Sequence, residues 1–474
     1  MSDYKTQIHE YIIAHKDTIV QALKELLKIP SVREEATENA PFGQPCADIL
    51  AHIRMLYAQN GIETDYYPEQ GYTLSYFGKG MNTLGLFAHA DVVPASTDWI
   101  FTKPFDPIEK DNYLIGRGTI DDKSAVITSL YCIKALKELA LPFHSRLICF
   151  TGINEESGMK DVQNFVNNHS VPDFSLVIDT GFPLYYGNKG MLQMTVHGNK
   201  PLDCIKEITG SNTRGAILGK VAVRLAYSDE LYAYLKMHES NVVFVKTCEE
   251  GIVVEAVGIS KHTALAEGSL NAGSLVAGVL KNCILLSENE RKQMTFLTEI
   301  LSNYYGESIG IANNDPDFGR LTIANDSIEL RDGKLLLHFN LRFGAMIDLV
   351  QLKCTIKETF SCHDFSVSFE NEATAHKMDV HHPMLQRCWC VYREFTEDTK
   401  SIPLINAGGT YARYLPCAIE IGTTLISGSP VGTKAGHGGA HQPDECIHID
   451  GFLAALELTL LMLLECDKRE DKVK

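Results

Sequence analysis

The sequence predicts an α/β fold in which a mixed, mainly parallel sheet flanked by helices is interrupted by a large inserted α+β domain. Three observations carry this. The runs "TLGLFAHAD" (83–91), "RLICFTGINEE" (146–156) and "FSLVIDTG" (174–181) are continuously apolar and rich in Leu, Ile, Val and Phe, as buried parallel strands are. Between the first two, "DDKSAVITSLYCIKALKELA" (121–140) has helical spacing, with two acids at its start where the helix dipole favours them. Strand, helix, strand is the βαβ rhythm of a parallel sheet. After about Gly187 the texture changes to hairpins, and it returns to helical periodicity near residue 383.

Taken in order, "MSDYKTQIHEYIIAHKDTIVQALKELLKIP" reads as one amphipathic helix. The first part of the α/β domain then occupies 1–187. In the insertion, 188–382, "MLQMTVHG", "KVAVRLAY", "VVFVKTCEEGIVVEAVGIS" and "SIELRDGKLLLHFNLRFG" read as strands, and "RDG" (331–333) as a tight hairpin turn. The second part of the α/β domain, 383–474, opens with the helical "HHPMLQRCWCVYREF" and closes with the helix "DGFLAALELTLLMLLECDK".

Composition narrows the function class. At 474 residues, with 43 basic and 60 acidic side chains and a net charge of −17, the chain suits neither nucleic acid nor an anionic membrane as its main partner. Its N-terminus lacks the uninterrupted apolar stretch of a secretion signal, and no segment reaches the length of a membrane span. The thirteen cysteines lack regular spacing and any CxxC pair, which fits free thiols in a reducing cytoplasm. A cytoplasmic location is therefore expected.

The chemistry concentrates at strand ends, where open α/β sheets bind ligands. His89 and Asp91 share a face if the strand continues, an arrangement in which a carboxylate can orient a metal-binding imidazole. Asp121 and Asp122 open a helix in "GRGTIDDKS"; alone, such a pair is more often a helix start than a ligand set. Glu155 and Glu156 follow a strand, as does Asp179. Like-charged carboxylates gathered in one place repel unless cations neutralise them, so the group as a whole asks for metal. Oxygen and imidazole donors without thiolate suit Zn²⁺, Mn²⁺ or Co²⁺. With no HExxH helix, GxSxG elbow or Walker loop, metal-activated hydrolysis leads, and a two-metal phosphoesterase is a rival that lacks a phosphate-cradling loop here.

The ordered motifs "AHADVVP", "GRGTIDDKS", "NEESG", "IDTG", "GGTYAR" and "AHQPDE", spread from 88 to 445, resemble the M20 metallopeptidase family, and within it the PepV/Sapep-type dipeptidase branch. The resemblance implies two divalent metal ions. His89 and Asp179 would hold one, Glu156 and His441 the other, and Asp121 would bridge them. Asp91 would orient His89, and Glu155 would act as general base. His437 also precedes the "PDE" motif, but His441 holds the family position. Ser124 stands where the family has glycine after "DDK", a small cost in a first helical turn.

The same resemblance makes the insertion a lid of two subdomains. There His262 would stabilise the oxyanion, although Ala266 and Ser269 replace the family's proline and glycine nearby. Arg342, Asn212 and Arg413 would contact substrate, the carboxylate contact falling to one of the two arginines. The implied function is hydrolysis of the peptide bond of dipeptides, short peptides with free termini, by a monomer. The nearest alternative is an N-acyl amino acid amidohydrolase; a silent metal- or peptide-binding protein is the remote one.

Overall fold

The computed structural model describes residues 2–211, 215–263 and 266–468. The chain divides into two compact units, Met1–Asn188 with Lys377–Lys474, and Lys189–His376.

In the first unit, the strands of a mixed sheet lie in the order Thr64–Tyr67, Tyr72–Phe77, Arg146–Gly152, Thr83–His89, Phe174–Thr180, Ala418–Gly422, Tyr185–Asn188. The centre is parallel. Thr83–His89 pairs with both Arg146–Gly152 and Phe174–Thr180, which in turn pairs with Ala418–Gly422. Tyr72–Phe77 joins antiparallel at the flank. Helices Lys123–Glu138 and Lys160–Asn168 make the two crossovers. Side chains alternate between faces along each strand. Leu84, Leu86 and Ala88 pack with helices Lys16–Leu27, Lys123–Glu138 and Ile449–Asp467 in one core. Phe87, Phe150 and Val177 face the other way, onto Phe165 and Tyr411. No helix among the described residues is long and apolar enough to cross a membrane.

Two local readings change. The N-terminal stretch is two helices, Ser2–Ala14 and Lys16–Leu27, with His15 between them at φ −103° and ψ 6°. The run ending in "GINEE" leaves the sheet at Gly152 and forms a 3₁₀ turn, Glu155–Ser157. Its backbone is drawn off because the N–H groups of Glu155 and Glu156 donate to the Asp91 carboxylate instead of to a neighbouring strand.

The second unit holds one antiparallel sheet, ordered Val243–Cys248, Gly251–Val257, Lys220–Leu225, Ile205–Ser211, Thr322–Arg331, Lys334–Phe343, Gly190–Gly198, Phe365–Ala373. Helices Ala272–Leu280, Glu288–Ser302 and Leu349–Ser361 cover one face around a single core. The two expected subdomains are thus halves of one sheet, joined where Thr209–Ser211 pairs with Ser327–Glu329. The predicted turn is present: Arg331 pairs with Lys334 across Asp332 (φ 51°) and Gly333 (φ 73°), both left-handed as a two-residue hairpin turn requires.

Candidate metal centre

Register places the acids. His89 lies opposite Gly152 in the parallel pair, and Phe87 lies opposite Val177, so His89 and Asp179 end adjacent strands on the same edge. The turn after Gly152 brings in Glu156, the loop before helix Lys123–Glu138 brings in Asp121, and the loop before Cys446–His448 brings in His441. Two groups of ligand atoms result, His89 with Asp121 and Asp179, and Asp121 with Glu156 and His441; within each, the atoms lie within 4.8 Å of one another.

Asp121 is common to both. Its Oδ1 is 3.0 Å from His89 Nε2 and its Oδ2 is 3.0 Å from His441 Nε2. Asp179 Oδ1 approaches His89 Nε2 at 3.5 Å, and Glu156 Oε1 approaches His441 Nε2 at 2.9 Å. His89 Nδ1–H donates to the Asp91 carbonyl oxygen at 3.0 Å. In the neutral imidazole that a metal would need, this bond leaves the lone pair on Nε2, the nitrogen facing the acids. His437 goes elsewhere: its Nδ1 meets Asp444 Oδ2 at 2.7 Å.

The electrostatics follow burial. Glu155 is 9% exposed, and burial, reinforced by the charge of Asp179, pushes its carboxyl well above the usual range. Glu156 is raised to about 7 by burial and by Asp121, against the pull of His441. Burial also opposes the charge on Asp121, yet its hydrogen bonds to His441 and His89 hold it well below the usual range. His441 is pushed up to about 10 by Asp121 and Glu156. Four carboxylates, Asp121, Glu155, Glu156 and Asp179, thus converge on two imidazoles. Such an oxygen and nitrogen donor set with surplus negative charge fits divalent cations.

Supports that the sequence reading did not single out surround these side chains. The buried Glu445 takes Arg117 Nη1 at 2.6 Å and the N–H groups of Gly118, Ile120 and Asp121 at 3.1, 2.9 and 3.2 Å, fixing the loop that carries Asp121. Asp161 Oδ2 accepts the Asn154 N–H at 2.8 Å and the Tyr411 hydroxyl at 2.5 Å, beneath the Glu155–Glu156 turn. Gly152 is required there, because a Cβ would stand 2.1 Å from that hydroxyl. Arg117, Asn154, Tyr411 and Glu445 lie within the quoted motifs "GRGTIDDKS", "NEESG", "GGTYAR" and "AHQPDE", and Asp161 lies outside them.

Arg413, in the 3₁₀ turn Tyr411–Tyr414, donates from Nη2 to the Gly408 carbonyl at 3.4 Å and packs on Gly409. In the second unit, Arg342 is 8% exposed at the end of strand Lys334–Phe343. His262 is exposed and forms an isolated bridge with Ala216. Asn212 lies outside the described residues.

Residues 85–465 match the profile of peptidase family M20/M25/M40. A Staphylococcus saprophyticus protein whose name carries the word dipeptidase is 26% identical over 437 residues, covering 88% of this chain and 91% of its own. A similarly named protein of Staphylococcus aureus strain MRSA252 is 27% identical with the same coverage. Among solved structures, human carnosine dipeptidase 1 superposes with a TM-score of 0.59 at 15% identity, over 98% of this chain and 99% of that one. The dipeptidase Dug1p from Saccharomyces cerevisiae gives 0.59 at 15%, over 99% and 100%. At these identities the structural likeness concerns the fold.

Proposed function

Because the chain belongs to peptidase family M20/M25/M40, we propose that it is a two-ion dipeptidase acting on short peptides with free termini. The observation that supports this most directly is the division of the Asp121 carboxylate, one oxygen toward each imidazole. His89 and Asp179 would hold one ion, Glu156 and His441 the other, with Asp121 shared. Zn²⁺ and Mn²⁺ suit the donors best, and Co²⁺ is compatible. Two ions so held supply a nucleophile from water at neutral pH and polarise the scissile carbonyl.

The protein's own part is positioning and proton transfer. Glu155, buried and with its carboxyl held above the usual range, would take a proton from the attacking water and deliver it to the leaving amine. Asp91 holds that glutamate by its backbone while its carbonyl orients His89. His262 would donate to the developing oxyanion. Arg342, on the polar face of its strand, is assigned the substrate carboxylate, as the family resemblance implies. Residues 189–376 would then serve as the substrate-binding lid, and a monomer is the expected state.

The test is a panel of dipeptides and N-acetyl amino acids on chelated protein restored with Zn²⁺, Mn²⁺ or Co²⁺ in turn. Metal-dependent dipeptide turnover is expected. Turnover of the N-acetyl compounds alone would replace this reading with an amidohydrolase.

A further inference from the structure

His441 has an uncommon backbone for a histidine. Its φ is 64°, in the left-handed region that glycine enters freely and other residues enter at a cost. It takes the third position of a four-residue turn, Gly439 to Gln442, closed by the Gln442 N–H donating to the Gly439 carbonyl at 3.1 Å. A positive φ at that position ordinarily selects glycine or asparagine. In this conformation His441 Nε2 stands 3.0 Å from Asp121 Oδ2 and 2.9 Å from Glu156 Oε1. A strained backbone persists only where its surroundings hold it.

The surroundings are a set of nested ties. The Gly438 N–H donates to the Pro443 carbonyl at 2.9 Å, and the Cys446 N–H donates to the Gly438 carbonyl at 3.1 Å, closing the segment 438–443 at its base. Outside these, His437 Nδ1–H donates to Asp444 Oδ2 at 2.7 Å and joins the two residues that flank the segment. The His437 side chain is only 10% exposed, so water competes little for this bond. Asp444 is fully buried and has a positive φ of its own, 53°. Its Oδ1 accepts the N–H groups of Ile100 and Phe101 at 2.9 and 3.0 Å, which anchors the tie to a segment distant in sequence.

We propose that His437 is a positioning residue for one metal ion: its bond to Asp444 clamps the loop on which His441 adopts the left-handed conformation, and so presents the His441 imidazole beside Glu156 and Asp121. The inference rests on the reading above in which Glu156 and His441 hold one of two ions. His89 and Asp179, which would hold the other, lie on sheet strands outside the clamped loop.

The experiment titrates Zn²⁺ into chelated protein by calorimetry for the wild type, His437→Leu and His437→Asn, with melting temperatures recorded alongside. Asparagine carries an amide N–H at the same reach from the backbone as Nδ1, so it still donates to Asp444, whereas leucine cannot. Affinity, unlike stoichiometry, is insensitive to a reduced folded fraction. The wild type is expected to bind two ions. His437→Leu should bind one as the wild type does and the other about 10- to 100-fold more weakly, as loss of one charge-assisted bond predicts. His437→Asn should recover most of that loss. Lower melting temperatures with both affinities unchanged would mean a structural role alone, and overturn the proposal while leaving the two-ion reading standing. Equal weakening of both sites, or a selective loss that His437→Asn fails to rescue, also overturns it. A wild type that binds fewer than two ions overturns that reading, and this inference with it.

Discussion

Asp91 grips Glu155 by the backbone: its Oδ1 accepts the Glu155 N–H at 3.1 Å, and its Oδ2 accepts that of Glu156 at 3.1 Å. This contact sets two adjacent acids apart, because the turn it caps points one carboxylate toward His441 and leaves the other buried, within the field of Asp179. Asp91→Ala would orphan both N–H groups, at about 1–3 kcal/mol each, and loosen His89 as well. A lower melting temperature together with a 10- to 100-fold fall in kcat is expected, read by calorimetry and dipeptide assay. A variant with wild-type kcat would show that the turn holds without its cap.

The division of labour between the paired glutamates is separable by metal analysis. Glu155→Gln keeps a similar shape but cannot move a proton, so turnover should fall by roughly 10²–10⁴ while both ions remain. Glu156→Gln should reduce metal content at the site shared with His441. Equal metal loss in the two variants would contradict the assignment.

Metal affinity should rise with pH. Without metal, His441 carries a proton at neutrality because Asp121 and Glu156 push it up to about 10, and Glu156 titrates near 7. Ligation needs neutral imidazole and ionised carboxylate, so binding displaces protons, and fewer remain to be displaced as pH increases. Zn²⁺ titration of chelated protein in two buffers of different ionisation enthalpy measures the protons released. Release of none at pH 7 would count against His441 as a ligand.

Much of this centre was legible because each apolar strand ends abruptly in the residue that matters: His89, Asp179, and the acids after Gly152. The choice of His441 over His437 came from its place before "PDE"; in the structure His441 Nε2 faces Asp121 and Glu156, while His437 Nδ1 meets Asp444. The supports were not legible. Glu445 reaches Arg117, and Tyr411 reaches Asp161, across hundreds of residues of sequence, and neither spacing nor periodicity records such pairings. Glu420 sits within the apolar run "CAIEIG", where nothing local marks a buried acid that accepts from both Asn188 and Asn406.

The pair Arg117–Glu445 offers a test of how far the metal centre depends on its support. Both side chains are buried, 1% and 0% exposed, and Glu445 also takes three backbone N–H groups leading to Asp121. Removing one partner of a buried pair strands the other charge, so Glu445→Ala should lose about 3–5 kcal/mol of stability. The double variant Arg117→Met with Glu445→Gln removes the stranded charge and keeps an acceptor for the loop, and should recover much of that stability. Metal affinity should separate the two contributions. If the backbone contacts position Asp121, the double variant binds both ions nearly as the wild type does, while Glu445→Ala, even where folded at low temperature, binds them less tightly. Equal affinity in the folded single variant would mean that Asp121 keeps its place through His89 and His441 alone.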